Sequence, residues 1–183
     1  MKRLFIAIPL SEEAKEKIKQ VKSDLQESGA DLRSVASENL HFTVKFLGNI
    51  QESKIDEIAK KIDDLQLSSF SIQARGVGVF PSVEHIQTIW VGAENGTLTL
   101  LLKKVNSLFD YQHARKEDTP HATLARVKSE KNKEKLKEVV KRFSQTNFGE
   151  IKVEKIILYE SELTPQGPVY KIIKEIFLKK EPN

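Results

Sequence analysis

The stretches NLHFTVKFLG (39–48) and TPHATLARVK (119–128) share one pattern: a histidine, one intervening residue, a threonine, then an aliphatic residue. The chain has four histidines, and two of them stand in this setting, eighty positions apart. Both stretches are rich in β-branched, aromatic and aliphatic residues, and the first stops at a glycine, so each predicts a β-strand. In a strand, residues two apart share a face. His41 and Thr43 therefore point together, while Phe42 and Val44 point into a core. His121 and Thr123 stand in the same relation to Ala122 and Leu124. Two such strands facing one another would form a cleft holding two imidazoles and two hydroxyls. The remaining histidines, His85 and His113, are followed two positions later by Gln87 and Arg115 and sit in polar, loop-like stretches, so they are expected in solvent.

Working outward, KRLFIAI (2–8) predicts an opening strand closed by Pro9. Ser11 can cap a helix that carries Glu12 and Glu13 in its first turn and runs to about Ser28, before Gly29. Ile55, Ile58, Ala59, Ile62 and Leu65 recur at helical spacing. Two strands follow, FSIQARGVGVF (70–80) and IQTIWVG (86–92), joined around Pro81. LTLLLKKVNSLF (98–109) and NKEKLKEVVKRF (132–143) predict helices on either side of the second His-Thr strand. EIKVEKIILYES (150–161) and PVYKIIKEIFLK (168–179) read as two long strands of a hairpin, joined by a loop with Pro165 and Gly167. Strands and helices alternate with several hairpins, which predicts an α+β fold of mainly antiparallel sheets. One His-Thr strand in each half, flanked by helices, suggests two related lobes.

The chain has 183 residues, 39% hydrophobic and 31% charged, which is the make-up of a globular protein able to bury its own core. It contains no cysteine, so disulfides, thiolate–metal clusters and a cysteine nucleophile are excluded. A cytoplasmic location is the expectation that suits this composition. No segment has the length and apolarity of a membrane span. The net charge of +4 permits a polyanionic partner without requiring one.

Two histidines with pKa values near neutrality can act as general base and general acid in one turnover. One takes a proton from the attacking oxygen and the other gives a proton to the leaving oxygen. Displacement at phosphorus needs them on opposite sides of the phosphate. The threonine hydroxyls can donate hydrogen bonds to the non-bridging oxygens. A metal site would need closely spaced ligands, and neither His41 nor His121 has such neighbours, so no metal and no cofactor are expected. Asp118 lies near His121 only on the approach to the strand.

These paired motifs resemble the 2H phosphoesterase superfamily, and within it the RNA 2′,3′-cyclic phosphodiesterases, also called 2′-5′ RNA ligases. RLFIAI, ENLHFTVKFLG, GVGVFP with IWVG, PHATLARVK and LYESELTPQGPVY resemble that family's successive strands, so the likeness covers nearly the whole chain. The resemblance implies one domain, residues 1–183, of two interleaved lobes. Two mainly antiparallel sheets flanked by helices would be related by a pseudo-two-fold axis around a central cleft. It implies hydrolysis of a terminal RNA 2′,3′-cyclic phosphate to a 2′-phosphomonoester, with His41 as proton donor and His121 as proton acceptor. The motifs themselves are alike and do not assign those two roles. Thr43, Thr123 and Arg126, five positions after the second histidine, would hold the phosphate. Strict alternation would set Arg126 on the face opposite His121, so it would have to reach back around the strand end. Lys45 shares a face with His41 by parity, and Tyr170 could stack on a base; both are candidate substrate contacts. Where many relatives carry an arginine three residues before the tryptophan, this chain has Gln87. The expected partner is an RNA or oligonucleotide with a cyclic phosphate end, and the expected oligomeric state is a monomer. The alternatives are the reverse ligation, a non-catalytic module that binds nucleotide or RNA ends, and a relative acting on small cyclic nucleotides or cyclic ADP-ribose phosphates.

Overall fold

A computed structural model of the chain describes residues 1–94, 96–109, 119–165 and 167–180. In chain order the elements are β1 (Lys2–Pro9), α1 (Glu12–Glu27), β2 (Leu32–Ser34), β3 (His41–Ile50), α2 (Ile55–Asp63), β4 (Phe70–Pro81), β5 (Ile86–Glu94), α3 (Gly96–Leu108), β6 (His121–Val127), α4 (Lys133–Phe143), β7 (Asn147–Val153), β8 (Lys155–Thr164) and β9 (Gly167–Phe177). The helix signals work as the chemistry dictates. The Ser11 hydroxyl accepts the Ala14 N–H at 3.3 Å, with Glu12 and Glu13 in the first turn of α1. The helix buries Ala14, Ile18, Val21 and Leu25, and the chain leaves it through Gly29 at φ +68°.

The strands form two antiparallel sheets, one ordered β3-β1-β8-β9 and the other β2-β6-β5-β4-β7. α2 and α3 pack on the first sheet, against β9 and β3. α1 and α4 pack on the second, against β7 and β4. This is the bilobal α+β architecture expected from the sequence. With the edge strand β2 set aside, the orders β3-β1-β8-β9 and β6-β5-β4-β7 correspond strand for strand, and each begins with a His-Thr strand. Each sheet draws strands from both halves of the chain. β3 and β6, from different sheets, lie against one another.

The segment 150–161 is not one strand. It divides at Glu154 into β7, which ends in one sheet, and β8, which begins in the other. Ile151 and Val153 are buried before the break, and Ile156 and Leu158 after it, so the hydrophobic pattern runs on through a change of sheet. The hairpin of β8 and β9 forms as expected, from Lys155↔Phe177 to Thr164↔Gly167. β2 has three residues, too few to register as a periodic pattern.

Candidate active site

Both His-Thr strands carry the same irregularity just after the threonine. In β3, Thr43 pairs with Ala7 and Lys45 with Ile6, so Val44 is an extra residue. In β6, Thr123 pairs with Trp90 and Ala125 with Ile89, so Leu124 is the extra one. Each is a β-bulge, in which two consecutive residues oppose one on the partner strand and the alternation of faces is reset. In β6 the burial follows suit: Leu124 and Ala125 are both fully buried, Arg126 is exposed, and Val127 packs on the core. Arg126 therefore shares the face of His121 and Thr123 and has no need to reach back around the strand end. In β3 the same reset removes the parity argument for Lys45. That residue is closed off at 2% exposure instead of standing on the open face. Phe46 takes the place equivalent to Arg126 and lies with its ring 6.0 Å from that of Phe5.

The two imidazoles are held alike. His41 Nδ1–H donates to the carbonyl of Asn39 at 2.7 Å, and His121 Nδ1–H donates to the carbonyl of Thr119 at 2.8 Å. A carbonyl only accepts, so each Nδ1 carries its proton. Each Nε2 is then the nitrogen that gains or loses one. The Thr43 hydroxyl donates to His41 Nε2 at 3.1 Å. Each ring also sits among aromatics. His41 meets Tyr170 edge to face at 5.4 Å and Phe5 at 5.0 Å. His121 meets Phe80 edge to face at 4.9 Å and Trp90 at 6.3 Å. Burial among these rings pushes the His41 pKa down to about 4. The Asn39 carbonyl opposes that shift, and the charge of His121 adds to it. The two histidines are close enough that protonating one disfavours protonating the other.

Of the expected site residues, His41, Thr43, Tyr170, Arg126 and His121 are drawn together. Tyr170 touches the His41 ring, and the charge of Arg126 bears on the Tyr170 hydroxyl, whose pKa is raised mainly by burial. Thr123 is half-buried beside Trp90. His85 is exposed, with Nδ1 3.9 Å from Glu130, as expected of a surface histidine. Gln87 is exposed on β5. His113 and Asp118 lie outside the described residues.

Sequence reasoning missed the aromatic walls, Phe5 and Tyr159 on one side and Phe80 and Trp90 on the other. The glycines around Trp90 were the available signal. A Cβ on Gly78 would overlap the Trp90 ring, and one on Gly92 would come within 3.2 Å of it. Glycines inside a strand mark such close approaches. Arg3 was missed as well; its charge, like that of Arg126, bears on Tyr170. Among the described residues, no three histidine or carboxylate side chains are grouped to hold a metal ion. A cavity of about 590 Å³ lies between β4 and α4, lined by Val77, Val79, Val140 and Lys137 among others, and neither histidine lines it.

The model of the LigT-like phosphoesterases matches the chain twice, over residues 8–90 and 91–170. An RNA 2′,3′-cyclic phosphodiesterase of Methanocaldococcus jannaschii is 39% identical over 175 residues, covering 94% of this chain and 99% of that protein. One from Aquifex aeolicus is 33% identical, covering 96% of this chain and 97% of its own length. Among solved structures, TT0787 of Thermus thermophilus superposes with a TM-score of 0.80 at 27% identity, covering 98% of this chain and 100% of that one. E. coli LigT in its apo form superposes at 0.76 with 23% identity, over 97% of this chain and 98% of its own, and bears on the fold alone.

Proposed function

The chain belongs to the family of LigT-like phosphoesterases, and from that membership we propose that it opens the 2′,3′-cyclic phosphate at the end of an RNA chain, leaving a 2′-phosphomonoester. The activity class is that of a phosphodiesterase. The observation that carries the reading is the matched pair of imidazoles. Each is fixed through Nδ1 to the carbonyl two residues before it, which leaves proton exchange to Nε2.

In this reading a water attacks phosphorus as His121 Nε2 takes its proton. The P–O3′ bond breaks as His41 Nε2 gives a proton to the leaving O3′. Thr43, Thr123 and Arg126 donate to the non-bridging oxygens, where negative charge sits in the transition state. Metal is not called on, because acid, base and charge stabilisation all come from side chains. With the cleft empty, His41 is neutral at pH 7. To serve as the acid it must be loaded with a proton when substrate arrives. An anionic phosphate beside the ring favours that loading, since an opposite charge within a few ångströms stabilises the imidazolium. The repulsion between the two histidines works against both rings being charged at once.

The test is incubation with an RNA oligomer ending in a 2′,3′-cyclic phosphate, with EDTA present, followed by mapping of the product phosphate. A 2′-phosphomonoester is expected. A 3′-phosphomonoester, or loss of turnover that a divalent ion restores, would overturn the reading.

A further inference from the structure

The chain has six arginines. Arg75 pairs with Glu94 and Arg142 with Asp24, and Arg115 lies outside the described residues. Arg3, Arg33 and Arg126 have no carboxylate partner among the described residues, although the chain carries 26 acidic residues. These three gather at one end of the cleft. Arg126 and Arg3 both act on Tyr170. Arg33 stands directly opposite Arg126 in the β2–β6 register, on the face away from the core-packed Leu32 and Val127. Like charges directly opposite on neighbouring strands repel and destabilise a sheet. This pair lies on the histidine-bearing face, and Gly167 of the β8–β9 hairpin lies against Arg33. The Asn39 side-chain amide donates to the Pro168 carbonyl at 3.4 Å, and a Cβ on Gly167 would fall 2.8 Å from Arg33 Nη2. Gly167, at φ +137°, lets the hairpin tip come down onto the guanidinium without covering it with a side chain.

We propose that Arg33 binds the phosphodiester one nucleotide upstream of the reacting phosphate, so that the site recognises the end of a chain in preference to a free cyclic mononucleotide. This rests on the function proposed above and names the substrate class within it. Arg126 serves the reacting phosphate. Arg33 stands one strand further out, roughly 4.8 Å away across the sheet, where the next phosphate of a strand entering past the hairpin would lie. An anion there relieves the repulsion between the two guanidiniums, and arginine suits it because its fork can bind two phosphate oxygens at once.

The experiment compares kcat/KM for a dinucleotide ending in a 2′,3′-cyclic phosphate with that for a nucleoside 2′,3′-cyclic monophosphate, which lacks the upstream phosphate. The wild-type protein should favour the dinucleotide. Arg33→Gln should lower its kcat/KM for the dinucleotide about tenfold, through KM, and lower that for the mononucleotide much less, so the ratio falls. The dependence of log KM on log salt for the dinucleotide should flatten by about 0.7, the share of one single-strand phosphate contact. Lys60→Gln removes the same charge from an exposed ion pair on α2 and should leave the ratio where it was. An Arg33→Gln protein with an unchanged ratio, or with equal losses on both substrates, overturns the inference and leaves the phosphodiesterase reading intact. A wild-type protein inert toward both substrates overturns that reading and this inference with it.

Discussion

A histidine that gives its Nδ1 proton to a main-chain carbonyl has one nitrogen left for chemistry, and both His41 and His121 are in that position. Replacing either with alanine removes one side of the proposed acid–base pair. Turnover of a cyclic-phosphate RNA end should fall by about 10²–10⁴ in each variant. His85→Ala should keep its activity, since His85 is exposed and its nearest carboxylate is 3.9 Å away. An inactive His85→Ala protein would show that the paired motif is the wrong guide. The second expectation concerns pH. His41 prefers its neutral form in the folded protein, with a pKa near 4 against 6.5 unfolded, so its contribution to stability is complete above pH 6.5. That contribution is lost as pH falls from 6.5 toward 4, by about 3 kcal/mol at most. An NMR titration should place the His41 ring near pH 4 in the empty protein and move it upward when inorganic phosphate is added. A midpoint near 6.5 that ignores phosphate would contradict both the buried neutral ring and its loading by substrate.

At the scale of elements, the two bulges decide what the His-Thr strands present. Alternation read along FTVKF and ATLAR gives the right faces as far as Val44 and Leu124 and the wrong ones beyond. The extra residues Val44 and Leu124 are ordinary aliphatics with nothing in their chemistry to announce a bulge. The histidines, threonines and the buried Phe42, Val44, Ala122 and Leu124 were therefore legible, and the place of Lys45 and the route of Arg126 to the cleft were not. The change of sheet at Glu154 was hidden for a similar reason, because residues on both sides of it bury their side chains. The aromatic wall behind His121 was within reach of the sequence through Gly78 and Gly92, which clear space for Trp90. Gly78→Ala should force that ring to move and take the packing of His121 with it. The expected cost is about 1–3 kcal/mol of stability in a denaturant titration, with a loss of activity beyond what the unfolded fraction explains. A protein of wild-type stability and activity would contradict the role given to the Trp90 wall.

At the scale of the whole molecule, neither half of the chain completes a sheet. β1 and β3 pair into a sheet that β8 and β9 finish, and β4 and β5 lie between β6 and β7. The internal pseudo-symmetry places β3 and β6 against each other, and that juxtaposition brings together two motifs eighty residues apart in the chain. The repeat of the motif was plain in the sequence, and its partnership in space depends on long-range strand pairing that no local pattern encodes. In the proposed mechanism both imidazoles address one phosphate. A crystal structure with a nucleoside 2′-phosphate in the cleft tests it most directly. His41 Nε2 and His121 Nε2 should then lie on the order of 5–7 Å apart, each within hydrogen-bond reach of an oxygen on the same phosphate. A phosphate touched by one histidine alone, with the other more than about 12 Å from its partner nitrogen, would contradict it.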